Sequence, residues 1–177
     1  MKTLVLGGAA SGKSAFAEKR ALERAIVLKE PLFYLATLHP QSGGDTAERI
    51  QRHRMARAGK GFSTVEWTDC DRLPAVGGVV LLEDMGNLVA NFFYPAGKKS
   101  RECDADSALS FLLESLRRIS AQASDLICVS NEIGLGGPLP EEMRLYGEVL
   151  ARLNAAWAAE CDEVYAVVAG ISMAVKA

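Results

Sequence analysis

The stretch with the most definite chemistry is Gly7-Gly8-Ala9-Ala10-Ser11-Gly12-Lys13-Ser14. It follows the apolar Leu4-Val5-Leu6, and the spacing from Gly7 to Gly12-Lys13-Ser14 is that of a phosphate-binding P-loop. Glycines let the backbone turn tightly and aim successive N–H groups into one anion-sized concavity. A helix starting at about Lys13 adds the positive end of its dipole. The Lys13 ammonium can reach β- and γ-phosphates, and the Ser14 hydroxyl can hold Mg²⁺. The competing reading, a chance glycine turn, is disfavoured because strand, loop and helix come in the order this mechanism requires.

Two further groups of residues could do chemistry. Glu83 and Asp84 end the apolar run Val79-Val80-Leu81-Leu82, where P-loop proteins place the acid that helps hold Mg²⁺. Glu83 is the stronger metal or nucleotide candidate, and Asp84 is suited to capping the next helix. Arg49, Arg52, His53 and Arg57 can share one face of a helix. A solvated charged face is the ordinary reading of such a cluster. Three arginines around one histidine are nevertheless poorly arranged for a salt-bridged surface and well arranged for gripping phosphates. A neutral imidazole can attack phosphorus, and nearby arginines would keep it neutral and stabilise the transferring group. From pattern alone His53 is either a nucleophile or a phosphate ligand, and His39 is the competing histidine.

These residues need a frame. Lys2 to Leu6, Pro31 to Ala36, Ser63 to Trp67, Val79 to Asp84, Leu126 to Ser130 and Glu163 to Val168 read as strands. Helices are expected from Ser14 to about Leu28, Asp45 to about Ala58, Asn87 to about Phe93, Asp106 to about Ala123, and Glu141 to Ala159. Tyr94 to Asp104 reads as a mobile loop, Asn131 to Pro138 as a glycine-rich loop, and the residues after Val168 as a glycine turn and a short tail. Alternating strands and helices imply an α/β fold: one domain, residues 1–177, with a mostly parallel sheet covered on both faces. Ligands then sit at the carboxyl ends of the strands. The P-loop, Thr37, Glu83-Asp84 and the Asn131 loop all fall on that edge.

Composition narrows the class. The 177 residues carry 20 Lys and Arg against 22 Asp and Glu, a balance that argues against a dedicated nucleic-acid binder. No apolar run is long enough to span a bilayer, and Leu4-Val5-Leu6 is too short for the core of a signal peptide. A cytoplasmic protein is expected. Cys70, Cys103, Cys128 and Cys161 are scattered, which suits reduced, core-filling thiols better than disulfides or a zinc site.

Taken together, the residues resemble the bifunctional adenosylcobinamide kinase / adenosylcobinamide-phosphate guanylyltransferase family of cobalamin biosynthesis. The resemblance runs nearly end to end. It covers Gly7 to Ser14, Tyr34-Leu35-Ala36-Thr37, Arg49-Ile50-Gln51-Arg52-His53-Arg54 with Arg57, Thr64-Val65-Glu66 and Leu81-Leu82-Glu83. It continues through Asn91, Ser130-Asn131-Glu132-Ile133-Gly134, Arg144, Asn154, and Asp162 to Ile171. The P-loop is generic, whereas the arginine–histidine block together with Asn-Glu-Ile-Gly is specific. The resemblance implies a P-loop NTPase fold of RecA-like type and two activities. One phosphorylates the aminopropanol hydroxyl of adenosylcobinamide with ATP or GTP. In the other, His53 attacks the α-phosphate of GTP, and GMP then passes to adenosylcobinamide phosphate, giving adenosylcobinamide-GDP. By the same resemblance Gly7, Gly8, Ala9, Ala10, Ser11, Gly12, Lys13 and Ser14 hold nucleotide, as do Ala36, Thr37, Leu38, Arg54, Met55, Ala56, Arg57, Glu66 and Glu83. Ser14, from the P-loop spacing, and Glu83, from its place at the strand end, are the expected Mg²⁺ ligands. A homo-oligomer, a trimer, is implied.

The chain departs from the family pattern in places. Ala10 stands where arginine is usual, Gly44-Asp45-Thr46 where an acidic pair and methionine are usual, and Phe62 where tryptophan is usual. Gly147, Ala151 and Ala155 replace arginine, glycine and glutamine on the last helix, where corrinoid specificity and the balance of the two activities would be affected. Two alternatives stand beside the bifunctional reading: a small-molecule kinase without guanylyl transfer, and a nucleotide-binding regulatory protein.

Overall fold

The computed structural model describes residues 1–39, 59–132 and 140–177. Its strands are β1 (Lys2–Gly7), β2 (Leu32–Ala36), β3 (Phe62–Glu66), β4 (Val79–Glu83), β5 (Asp125–Asn131), β6 (Glu163–Val168) and β7 (Ile171–Lys176). The helices among the described residues are α1 (Lys13–Leu28), α2 (Met85–Phe93), α3 (Ala105–Gln122) and α4 (Arg144–Glu160). One sheet joins the strands in the order β3-β2-β4-β5-β1-β6-β7. Every pairing from β3 to β6 is parallel, as expected, and β7 closes the edge antiparallel to β6.

Helices cover both faces. On one face Ala17 and Ala21 of α1 pack on Val5, Leu32, Tyr34, Val79, Leu81, Ile127, Val129 and Val167. On the other, α2, α3 and α4 bury Leu88, Val89, Leu112, Leu116, Ile119, Leu150, Leu153 and Trp157 against Leu4, Leu35, Val80, Leu82, Leu126, Cys128 and Val164. Burial on both faces explains why β4 and β5 read as continuous apolar runs instead of alternating ones. Cys70, Cys128 and Cys161 are buried in this second core, and all four cysteines are free thiols. Burial pushes the Cys70 and Cys161 thiols up to about 12, so they act as small apolar side chains.

Several boundaries differ from expectation. The residues after Val168 form a strand, not a tail: a turn at Ala169 and Gly170, both at positive φ, reverses the chain so that Ile171–Lys176 pairs with β6. The last long helix begins at Arg144, after a single 3-10 turn at Glu141–Met143. α3 starts at Ala105 because Asp104 caps it, accepting from the Ser107 N–H at 2.7 Å. The segment 94–104, expected to be mobile, is anchored. Arg101 bonds Asp71 and stacks on Phe92 and Phe111, while Lys98 pairs with Asp69 and Asp71. The expected helix from Asp45 to Ala58 lies outside the described residues, as does 133–139 of the Asn131 loop.

Candidate functional site

The Gly7–Ser14 turn joins the end of β1 to the start of α1, so the motif sits where a buried central strand meets a helix N-terminus. Gly12 takes φ 91° and Ala10 φ 55°, the left-handed conformations that fold the turn back on itself. The Ser11 N–H donates to Gly8 O at 3.3 Å, and the mostly buried Lys13 ammonium donates to the same oxygen at 3.0 Å. Gly7 has its back to the structure: a Cβ there would lie 2.4 Å from Ser11 Oγ and 2.6 Å from Val167 O. At Gly8 a Cβ would meet nothing within 4 Å, so the loop is open on the side where an anion would enter. The β6–β7 turn leans on the loop, with Gly170 N–H donating to Ser11 O at 2.8 Å. The buried Ser11 and Ser130 hydroxyls lack protein partners on the described residues, polar groups of the kind a ligand or water satisfies.

A second set of residues lines the same edge. Strand register puts Glu66, Ala36 and Glu83 side by side at the ends of β3, β2 and β4. Cross-strand neighbours point the same way, so the two carboxylates flank a methyl group, with their strands about 10 Å apart. The slot between them faces the α1 side, because Tyr34 and Leu81, two residues back, belong to that core. Tyr34 OH donates to Glu83 Oε2 at 3.0 Å and orients that carboxylate. β5 alone separates β4 from the P-loop strand. Ser14 and Glu83 are hard oxygen donors, and among the described residues no three His, Cys, Asp or Glu side chains gather as a metal cage. A Mg²⁺ held here would therefore share its ligands with phosphate oxygens, the usual arrangement for this ion.

Thr37 and Asp84 are committed to the scaffold. Thr37 is fully buried; its hydroxyl donates to Asp84 O at 2.8 Å, and its carbonyl accepts from Asn91 Nδ2 at 2.6 Å. Asp84 caps α2, accepting from Asn87 N–H at 2.7 Å. The Asn131 amide reaches Asp84 Oδ2 at 3.4 Å, and Asn154 Nδ2 donates to Asn131 O at 3.1 Å. Burial and then the Asp84 charge push the nearby Tyr146 phenol up to about 12; it stays protonated and donates to Gly86 O. Sequence reasoning missed Tyr34, Gly170 and the positioning role of Asn91. Tyr34 alternates with Ala36 along β2, which was the available signal. Gly170 carried none, since its partner, Ser11, lies near the opposite end of the chain.

Leu38 and His39 are half-buried just beyond β2. His53, Arg54, Met55, Ala56 and Arg57 lie outside the described residues. The departures on α4 divide: Ala151 and Ala155 are exposed, while Gly147 is buried.

A family model described as cobinamide kinase / cobinamide phosphate guanyltransferase matches residues 3–175. The bifunctional adenosylcobalamin biosynthesis protein CobP of Pseudomonas aeruginosa is 35% identical over 182 residues, covering 99% of this chain and 98% of that protein. The CobU proteins of Escherichia coli and Salmonella typhimurium are 32% and 30% identical, each over 99% of this chain and 100% of the relative. Among solved structures, the flagellar accessory protein FlaH of Methanocaldococcus jannaschii aligns with a TM-score of 0.49 at 13% identity over 99% of this chain and 77% of that one, a likeness too slight to carry an argument. The match to the family model over almost the whole length, joined by full-length relatives, places the chain in the cobinamide kinase / cobinamide phosphate guanyltransferase family.

Proposed function

We propose that this chain phosphorylates the aminopropanol hydroxyl of adenosylcobinamide and then transfers GMP to the resulting phosphate. The observation that carries the reading is the shared edge. The P-loop and the Glu66–Ala36–Glu83 row lie at the carboxyl ends of parallel strands, one strand apart at their nearest. The segment bearing His53 leaves from that same edge, after β2.

In the kinase step the substrate hydroxyl oxygen bonds to the γ-phosphorus of ATP or GTP, and the nucleoside diphosphate leaves. The P-loop N–H groups and Lys13 hold the phosphates and spread the developing charge. In the second reaction an imidazole nitrogen of His53 bonds to the α-phosphorus of GTP, and pyrophosphate leaves. An oxygen of adenosylcobinamide phosphate then displaces the imidazole, giving adenosylcobinamide-GDP and free histidine. Arg54 and Arg57 grip the phosphates, and Glu66 and Glu83 border the guanosine slot with Ala36 as its floor. Held by Ser14 and Glu83, Mg²⁺ would supply charge neutralisation on the β- and γ-phosphates. The chain would act in the cytoplasm as a homotrimer, and light scattering on the purified protein checks the trimer.

GTP labelled at the α-phosphate should yield labelled protein that loses its label in acid and keeps it in base, as a phosphoramidate does. His53→Ala should abolish the label. A persistent label in that variant overturns the nucleophile. Cobinamide phosphorylation with no adduct in the unaltered chain would favour the kinase-only alternative.

A further inference from the structure

The described structure contains a groove on the other side of the P-loop that shares only Gly12 with the assigned residues. α1 packs over β1, β4, β5 and β6. The residues of β7 on the α1 side are small: Ser172 pairs with Val167, and Ala174 pairs with Tyr165. Between α1 and the β6–β7 turn this leaves a groove of about 470 Å³, bounded by Gly12, Phe16, Lys19, Arg20, Gly170 and Ser172. That volume is within the roughly 300–1,000 Å³ typical of small-molecule sites.

We propose that this groove is the nucleoside subsite for the triphosphate that donates its γ-phosphate. The inference rests on the P-loop reading given above. Gly12 of the P-loop is one wall of the groove, so the groove adjoins the phosphate loop. Helix rise puts Lys19 about 10 Å beyond Gly12 along α1, a length that suits a nucleoside running from its 5′ oxygen to the far edge of its base. Near the loop the walls are bare. A Cβ on Gly12 would lie 3.2 Å from the Gly170 Cα, whereas one on Gly170 would meet nothing within 4 Å, which leaves room for a ribose. Ser172 supplies a hydroxyl beside it. Further along, the Arg20 guanidinium carbon lies 4.9 Å from the Tyr165 ring centre and its guanidinium bonds Glu163, and the Phe16 ring centre lies 5.0 Å from that of the same tyrosine. An anchored guanidinium and the Phe16 ring are groups against which a purine can pack. Lys19 and Glu23, paired at 3.9 Å on the rim, offer both a donor and an acceptor, so either purine is admitted.

The groove is on the β6–β7 side of β1, and the Glu66–Ala36–Glu83 row is on the β5–β4 side. A nucleotide with its phosphates in the P-loop points its base one way or the other. Donors for γ-transfer extend into the groove, while GTP awaiting attack at its α-phosphate extends towards the carboxylate row. One phosphate cradle thereby serves two reactions at different phosphorus atoms.

The test uses Ser172→Trp and, as a surface change that leaves packing intact, Lys19→Glu. Ser172→Trp should raise the Kd for a non-hydrolysable ATP analogue at least tenfold and the kinase KM for ATP in parallel. It should leave binding of inorganic tripolyphosphate, and enzyme–GMP formation from GTP, within twofold. Lys19→Glu should shift the same two ATP readings in the same direction, and 8-azido-ATP should label residues between 15 and 23 or between 168 and 176. Unchanged ATP affinity in both variants, or azido label confined to residues 62–67 and 83–91, overturns the groove. Failure of the unaltered chain to bind tripolyphosphate overturns the P-loop reading instead, and the inference falls with it.

Discussion

Gly7 shows how little freedom the phosphate loop has. Its α-hydrogen faces the Ser11 hydroxyl and the Val167 carbonyl, 2.4 and 2.6 Å from where a methyl group would stand. Gly7→Ala must therefore displace either β6 or the loop, and should destabilise the protein by about 1–3 kcal/mol, the usual scale for overpacking. Gly8→Ala, with open space on that side, should leave stability nearly unchanged. Urea unfolding of the two variants side by side checks this; equal losses would mean that the loop does not hold the conformation described. At the same scale, Tyr34 explains why Glu83 rather than Asp84 is aimed at the site. The phenol holds the Glu83 carboxylate, whereas Asp84 is turned away to cap α2.

The elements are aimed by their ends. α2 and α3 each begin at an aspartate that accepts the N–H three residues on, Asp84 for one and Asp104 for the other. The caps differ in setting. Asp84 is buried and also receives Asn131, while Asp104 is on the surface. Asp84→Ala should cost about 1–2 kcal/mol in unfolding free energy, the upper range for a cap. It should also release Asn131, and with it the start of the loop at the site. Asp104→Ala should have the smaller effect and leave phosphate binding alone. Unfolding curves together with tripolyphosphate affinity separate the two. The capping role of Asp84 was legible from its place after a buried strand, but that of Asp104 was hidden in a polar stretch with several possible starts. β7 was illegible for a related reason. Every one of its residues is exposed, so no burial pattern marks it, and it exists because β6 offers a free edge next to a turn at positive φ.

Across the whole molecule, one ion pair ties α1 to the sheet far from the site. The Asp125 side chain, at the start of β5, bonds the guanidinium of Arg24. Burial alone would raise the Asp125 carboxyl, but the hydrogen bonds and charges of Arg24 and of the N-terminal ammonium together outweigh it and hold the group below the ordinary carboxylate range. Its contribution to stability is therefore complete above that range and is lost as pH falls through the depressed folded value. Asp125→Asn should cost about 2 kcal/mol at pH 7, the scale for a hydrogen bond between charged groups. The gap between the two proteins should narrow on acidification towards pH 3. Denaturant titrations at the two pH values test this, and a gap that is constant with pH would remove the charge from the account.

The sequence alone determined the parallel α/β frame, the phosphate loop at its centre and the family, because these rest on local patterns. Buried strands are apolar runs, a P-loop is a fixed spacing, and a helix cap is a single side chain. It also pointed to Glu83 and Glu66 as site residues. Only the tertiary structure decided that these two glutamates stand in one row with Ala36 between them, since register belongs to pairs of strands distant in sequence. In the same way it decided that Gly170 closes against the P-loop, and that a second nucleoside-sized groove opens on the opposite side. Which side of a phosphate cradle a base occupies depends on strand order, and strand order is set by how the elements pack, not by any one of them.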